Sequence, residues 1–251
     1  MKNQLNFTYN TLFLCALILL IAVNIVGVFI NDALIMKTMM SVFVPVFLIF
    51  FFINDKSLGI AFISFLLFSF LGDTSALLFL DDVLIEASSV LYILSYFFLL
   101  IIVAPKFKFL ELNALVGTYL LVVFSIAVYF LYITYSILDV VVPNHNEVLL
   151  FGIKSFVLII LTFVSFGVYL NTQTKQSILF LTAVVFLGLS VMISSVNLYY
   201  LNNWSLELLY RLLYATALYL MFKCITDKEV VTKQPKYIEL KEKYSSDTVL
   251  S

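Results

Sequence analysis

The sequence predicts an all-α, polytopic membrane protein of eight transmembrane helices. Three observations lead there. Hydrophobic residues fill 63% of the 251 positions and charged residues 12%, with a mean hydropathy of +1.12. A soluble domain is about 45–50% apolar and about 25% charged, so a soluble globular enzyme, a disordered chain and a collagen-like fibre are all excluded. The apolar residues also gather into eight runs separated by short polar clusters, and each bilayer crossing needs about 20 such residues. Finally, the basic residues of the connections fall in alternate segments.

The first run, 11–30, follows Lys2 and is too long for a signal-peptide core. No small-residue cleavage site follows it, so it reads as a first transmembrane helix. Runs at 34–53, 57–80 and 83–103 come next, divided by Asn31 and Asp32, by Asn54 to Lys56, and by Asp81 and Asp82. Pro105, with Lys106 and Lys108, closes the fourth. Runs at 113–136, 148–170, 177–200 and 206–225 follow, broken at Pro143 to Asn146, at Asn171 to Gln176, and at Asn202 and Asn203. One transmembrane domain, 1–226, is therefore expected, and 227–251 reads as a disordered cytoplasmic tail.

Orientation comes from the lysines. Lys2, Lys56, Lys106, Lys108, Lys175 and the tail lysines lie on one side, while the intervening loops carry Asp32, Asp81, Asp82, Asp139 and Glu147 with no Lys or Arg. The positive-inside rule places the basic side, and with it both termini, in the cytoplasm of a cell (inner) membrane. A net charge of −1 gives no electrostatic footprint for nucleic acid. Cys15 and Cys224 fall within apolar runs, and His145 is the only histidine. No disulfide, metal site or cofactor is expected. The expected partners are membrane lipids and an amphiphilic small molecule.

Ionisable groups at membrane depth cost several kcal/mol unless paired or hydrated, which makes each a candidate functional residue. Lys37, Asp73, Glu86, Lys154 and Arg211 lie within or at the edges of the runs. In the orientation above, all five occupy the outer half of the membrane, where two acids and three bases can line one cavity. Asp73 is the sharpest of them. Its side chain is too short to reach the headgroups, so it needs an internal partner. Neutral polar residues extend the cluster: Ser69 one turn before Asp73, Ser89 and Tyr96 on the face of Glu86, and Ser190, Ser194 and Asn197 along the seventh run. Such groups also serve simply as interhelical hydrogen-bond partners.

The two halves share a weak internal match. Segment 91–100 (LYILSYFFLL) aligns with 209–218 (LYRLLYATAL), agreeing at five of ten positions. At nearly the same offset, Met36 to Thr38 faces Ile153 to Ser155, and Phe70 to Gly72 matches Phe186 to Gly188. Four crossings return a chain to the same side, so the match suggests two parallel four-helix repeats with a site between them.

These residues together resemble the YhhN-like membrane proteins, the family that includes the lysoplasmalogenases. Lys37 opens the second run, Leu71, Gly72 and Asp73 form a Leu-Gly-Asp motif in the third, and Leu94 and Ser95 form a Leu-Ser motif in the fourth. The stretch Phe186 to Ser190 is similar to the family's seventh-helix motif. Tyr96 stands where many members have His, Ser190 where they have Asp or Asn, Thr38 where they have Pro, and Leu218 where Gln or His is common.

The resemblance implies a hydrolase that cleaves the vinyl ether of lysoplasmalogens to a fatty aldehyde and a glycerophospho headgroup. That chemistry needs an acid to protonate the β-carbon, a group to position water and bases to hold the phosphate. The resemblance assigns Asp73 as proton donor, Glu86 or Ser190 to water, and Lys37, Lys154 and Arg211 to phosphate. Tyr96 and Asn197 are expected to line the substrate. The alternative expectation is a non-catalytic transporter or lipid-binding protein on the same fold.

Overall fold

The computed structural model describes residues 2–30, 42, 44–46, 48–49, 59–78, 82–107, 114–201 and 203–226. The described residues are helical apart from short connections. The helices are α1 (Lys2–Ile30), α2 (Ile60–Leu78), α3 (Asp82–Val103), α4 (Ala114–Val141), α5 (His145–Thr172), α6 (Lys175–Val196) and α7 (Trp204–Thr226). The few described residues between 42 and 49 are also helical. Most of the second predicted run, Lys37 included, lies outside the described residues, as do Lys56, Asp81, Lys108 and the tail 227–251.

Among the described residues, five stretches are long and apolar enough to cross a membrane: Glu86–Lys106, Gly117–Val141, His145–Thr172, Lys175–Leu201 and Trp204–Ile225. Leu14–Gly27 and Ile60–Ser75 are shorter apolar helices. This is the architecture of a helical membrane protein. With no water to satisfy them, backbone N–H and C=O groups must pair within the segment, and only a helix does that with one strand of chain.

The ends are set by local chemistry. Asn144 caps α5 by accepting from the Asn146 amide at 3.1 Å. The helix therefore starts at His145 instead of 148 and takes Glu147 into its first turn, where a carboxylate suits the helix dipole. Gln173 ends α5 in the left-handed conformation, with φ of 47°. Thr174 and Ser177 then form a reciprocal capping box that starts α6. Pro105 lies in the single 3₁₀ turn, Ala104–Lys106, that terminates α3. At the far end of α6, residues Asn197–Leu201 form a π turn; its extra residue per turn shifts every side chain beyond Val196 around the helix axis.

The helices α2 and α3 pack as an antiparallel hairpin, as do α6 and α7. Hydrogen bonds fix the register of each. Ser95 donates to the Phe65 carbonyl at 3.2 Å and Ser88 to the Gly72 carbonyl at 2.8 Å. In the second hairpin, Ser190 donates to the Tyr210 carbonyl at 2.8 Å, and Cys224 donates to that of Gln176 at 3.4 Å. Helix α5 joins the hairpins, packing on α3, α6 and α4, while α1 lies on α7.

The main core gathers Phe65 and Leu66 of α2, Leu99 and Val103 of α3, Leu161 and Val164 of α5, Leu187 of α6, and Leu218 and Met221 of α7. Fully buried Ala183, Ala215 and Ala217 let α6 and α7 approach closely. Helix α4 sits outside this core. It reaches the rest through Leu138 against Val148 and Phe151, and through Phe124 on Phe163.

Candidate functional site

The site grows from the α2–α3 hairpin. Ser69 and Asp73 are one turn apart on the face of α2 turned toward α3. Asp73 is only 6% exposed. The Tyr92 hydroxyl of α3 donates to its Oδ1, and the Tyr214 hydroxyl of α7 makes a longer contact to Oδ2 at 3.4 Å. Among the described residues no cation lies within ion-pair distance of this carboxyl. A buried charge without a partner is expensive. Here neutral phenol donors, not a salt bridge, surround the acid.

Tyr92 is the centre of the arrangement. Its ring packs against Gly72, where an added Cβ would come within 3.2 Å of it. On one side the ring stacks with Tyr96 at a centroid distance of 6.2 Å. On another, the Lys154 ammonium of α5 stands 6.0 Å from its centroid, at the outer reach of a cation–π contact. Lys154 is half-buried, and among the described residues no carboxylate lies within ion-pair distance of it. Deeper in the hairpin, the Ser69 and Ser95 hydroxyls are 2.6 Å apart.

The polar groups form a column. It begins with Glu86 at the start of α3, which accepts from Asn144 Nδ2 at 3.2 Å. It passes Lys154 and Tyr92 to Asp73, and it ends at Ser69 and Ser95. Beyond them the hairpin buries Phe62, Phe65, Leu66, Leu99 and Val103, an apolar floor.

Among the described residues, Arg211, Ser190 and Asn197 make no hydrogen bond or ion pair with Asp73. Arg211 is 3% exposed and is held by Glu207 one turn earlier at 2.5 Å. Its guanidinium also stands 5.9 Å from the Tyr210 ring centroid. Glu207 is absent from the cluster the sequence predicts. Ser190 is buried, with its proton committed to the Tyr210 carbonyl. Asn197 opens the π turn and accepts from the Asn203 amide at 2.7 Å. Glu147 accepts from the Tyr199 hydroxyl at 2.5 Å. Lys37 lies outside the described residues.

The structure thus brings together Asp73, Tyr96 and Lys154. It adds two residues that the sequence reading passes over, Tyr92 and Tyr214. Their signal was the aligned pair of segments 91–100 and 209–218, in which both tyrosines are matched positions. A carboxyl flanked by phenols can hold a proton, and an ammonium on the far side of the Tyr92 ring, with no carboxylate at ion-pair distance among the described residues, can attract an anion. Compared with known proteins, the chain matches no family model, no curated sequence and no solved structure.

Proposed function

We propose that the chain is an eight-span protein of the cell membrane with both termini in the cytoplasm. In this reading it consists of two parallel four-helix repeats and hydrolyses the vinyl ether of lysoplasmalogens. The observation that carries the proposal is Asp73: a buried carboxyl held by Tyr92 and Tyr214 with no cation at ion-pair distance among the described residues. A salt bridge would hold the carboxyl ionised and spoil it as an acid. Phenol partners leave it able to carry the proton that the reaction needs.

Asp73 donates that proton to the β-carbon of the vinyl ether, leaving an oxocarbenium ion. Water adds to the α-carbon and returns a proton to the site. The resulting hemiacetal breaks its C–O bond, releasing a fatty aldehyde and the glycerophospho alcohol. Glu86 or Ser190 orients the water; Glu86 accepts from Asn144 through Oε1, whereas the Ser190 proton is committed to the Tyr210 carbonyl, which favours Glu86. Lys154 takes the headgroup phosphate, joined by Lys37 and by Arg211 once it exchanges Glu207 for substrate. Tyr96 and Asn197 line the substrate path. The matched hairpins, α2–α3 and α6–α7, support the repeat reading.

The test is direct. Purified protein is given vinyl-ether and ester lysolipids, with Asp73→Asn and Lys37→Ala as controls, and aldehyde release is followed. Release from the vinyl-ether substrate that vanishes in Asp73→Asn supports the hydrolase. Saturable lipid binding without release above that background would replace it with a non-catalytic transporter or lipid-binding protein.

A further inference from the structure

Three groups on three helices meet at one aromatic ring. Lys154 of α5 stands over the face of Tyr92, Tyr92 of α3 donates to Asp73 of α2, and the ring packs so close to Gly72 that an added Cβ there would come within 3.2 Å of it. A cation over a phenol draws electron density from the ring and strengthens its hydroxyl as a donor. Lys154 therefore supports the Tyr92–Asp73 hydrogen bond at a distance. An anion that neutralises Lys154 removes this support.

We propose that Tyr92 couples anion capture at Lys154 to proton uptake at Asp73. The anion is a phosphate, either on the headgroup of an amphiphile or free. The inference rests on the site reading above and gives Tyr92 the role of a positioning residue: the acid is loaded when a phosphate-bearing ligand arrives. One proton from solvent joins the Asp73 carboxylate to give the acid, and no other bond changes. Linkage makes the effect reciprocal, so a proton on Asp73 strengthens anion binding by the same factor.

The other ionisable groups around Asp73 fit this role. From α3, Glu86 is tied to Asn144 and Tyr96 stacks on Tyr92. From α5, Glu147 lies two turns from Lys154 and is held by Tyr199. From α7, Tyr214 reaches the second carboxyl oxygen, and Arg211 is balanced by Glu207, with Tyr210 beside it. Among the described residues no carboxylate lies at ion-pair distance from Lys154, whereas Arg211 has Glu207, so an incoming anion changes Lys154 more.

Infrared difference spectroscopy on full-length protein in neutral-lipid bilayers tests the coupling without requiring turnover. The readout is the protonated-carboxyl band that disappears in Asp73→Asn. Three probes are compared: a phosphate-bearing lysolipid, glycerol phosphate, and a neutral monoacylglycerol. In the wild type the band grows with the lysolipid. Growth with glycerol phosphate as well assigns the effect to phosphate alone, and its absence there assigns it to the lipid-borne headgroup. Tyr92→Phe keeps the ring, binds the lysolipid and loses the growth. Lys154→Met loses both binding and growth, and Lys154→Arg retains both.

Unchanged growth in Tyr92→Phe, growth with the neutral monoacylglycerol, or a wild-type band that no phosphate probe moves would each overturn the coupling. Band growth in a protein that releases no aldehyde would refute the hydrolase and leave the coupling standing. Aldehyde release with an unmoved band would do the reverse.

Discussion

Tyr92 and Asp73 meet across the α2–α3 hairpin, hydroxyl to carboxyl, with the Tyr92 ring packed closely against Gly72. Serine hydroxyls bind on either side of that contact. Ser88 ties the Gly72 carbonyl above it, and Ser95 ties that of Phe65 below. The same hairpin that packs the core therefore also aims the phenol at the acid.

Replacing Gly72 with alanine puts a Cβ 3.2 Å from the Tyr92 ring. The ring must shift, and its hydroxyl with it. Overpacking of this kind offsets the roughly 1 kcal/mol that alanine gains over glycine in a helix, so Gly72→Ala is expected to be less favourable for thermal stability in detergent than the same change in open space, and to move the Asp73 carboxyl band. Gly188, its counterpart in the internal match, has nothing within 4 Å of an added Cβ. Gly188→Ala is expected to be neutral or slightly stabilising. Equal effects of the two substitutions would show that the close approach at Gly72 contributes nothing.

Phe107 leaves the 3₁₀ turn after α3 and lays its ring over Gly167 of α5, where an added Cβ would lie only 2.1 Å from it. That atom cannot be accommodated unless the Phe107 ring moves. Gly167→Ala is expected to destabilise by about 1–3 kcal/mol. Phe107→Ala opens a gap but removes the clash, so the double variant should be more stable than the two single losses added together. Strict additivity in thermal unfolding would argue against this contact.

How far the sequence reveals this arrangement depends on the range of the interaction. Helix positions and caps are local. Apolar runs, the Pro105 and Pro143 breaks and the Thr174–Ser177 box can be read within a few residues. Asp73 and Lys154 stand out because charge is rare in such a background. Tyr92 and Tyr214 do not stand out, because a tyrosine in an apolar segment reads equally well as an interface anchor. What makes them partners of Asp73 is the register of one hairpin and the closure of α7 onto α2, both set by packing between residues 19 and 141 positions apart. The π turn at Asn197 is similarly hidden, because the Ser190, Ser194, Asn197 stripe assumes an unbroken α period. The Arg211–Glu207 pair was within local reach at i, i+4 spacing.

Ser190 and Glu86 separate structural from chemical roles. The Ser190 proton is committed to the Tyr210 carbonyl across the α6–α7 hairpin. Interhelical bonds of this type contribute about 0.6 kcal/mol in membranes. Ser190→Ala is expected to cost about that much stability and leave aldehyde release nearly intact. Glu86→Gln keeps the size and the Asn144 contact but removes a basic oxygen, and it should lower release by about a hundredfold. A large rate loss in Ser190→Ala with normal Glu86→Gln would reassign the water to Ser190.

The proposed orientation has a consequence for access. The polar column enters at the Glu86–Asn144 end and stops at Ser69 and Ser95. Lys106 and Gln173 lie at the opposite ends of α3 and α5. If Asn144 faces outward, single cysteines at 81 and 144 react with an impermeant maleimide added outside intact cells, in a background with Cys15 and Cys224 replaced. Cysteines at 106 and 173 react only after the cells are opened. A cysteine replacing Glu86, at the mouth of the column, should label from outside more slowly than 144 and not from the cytoplasmic side. Labelling at 106 in intact cells would invert the topology, and a ligand would then reach Asp73 from the cytoplasm.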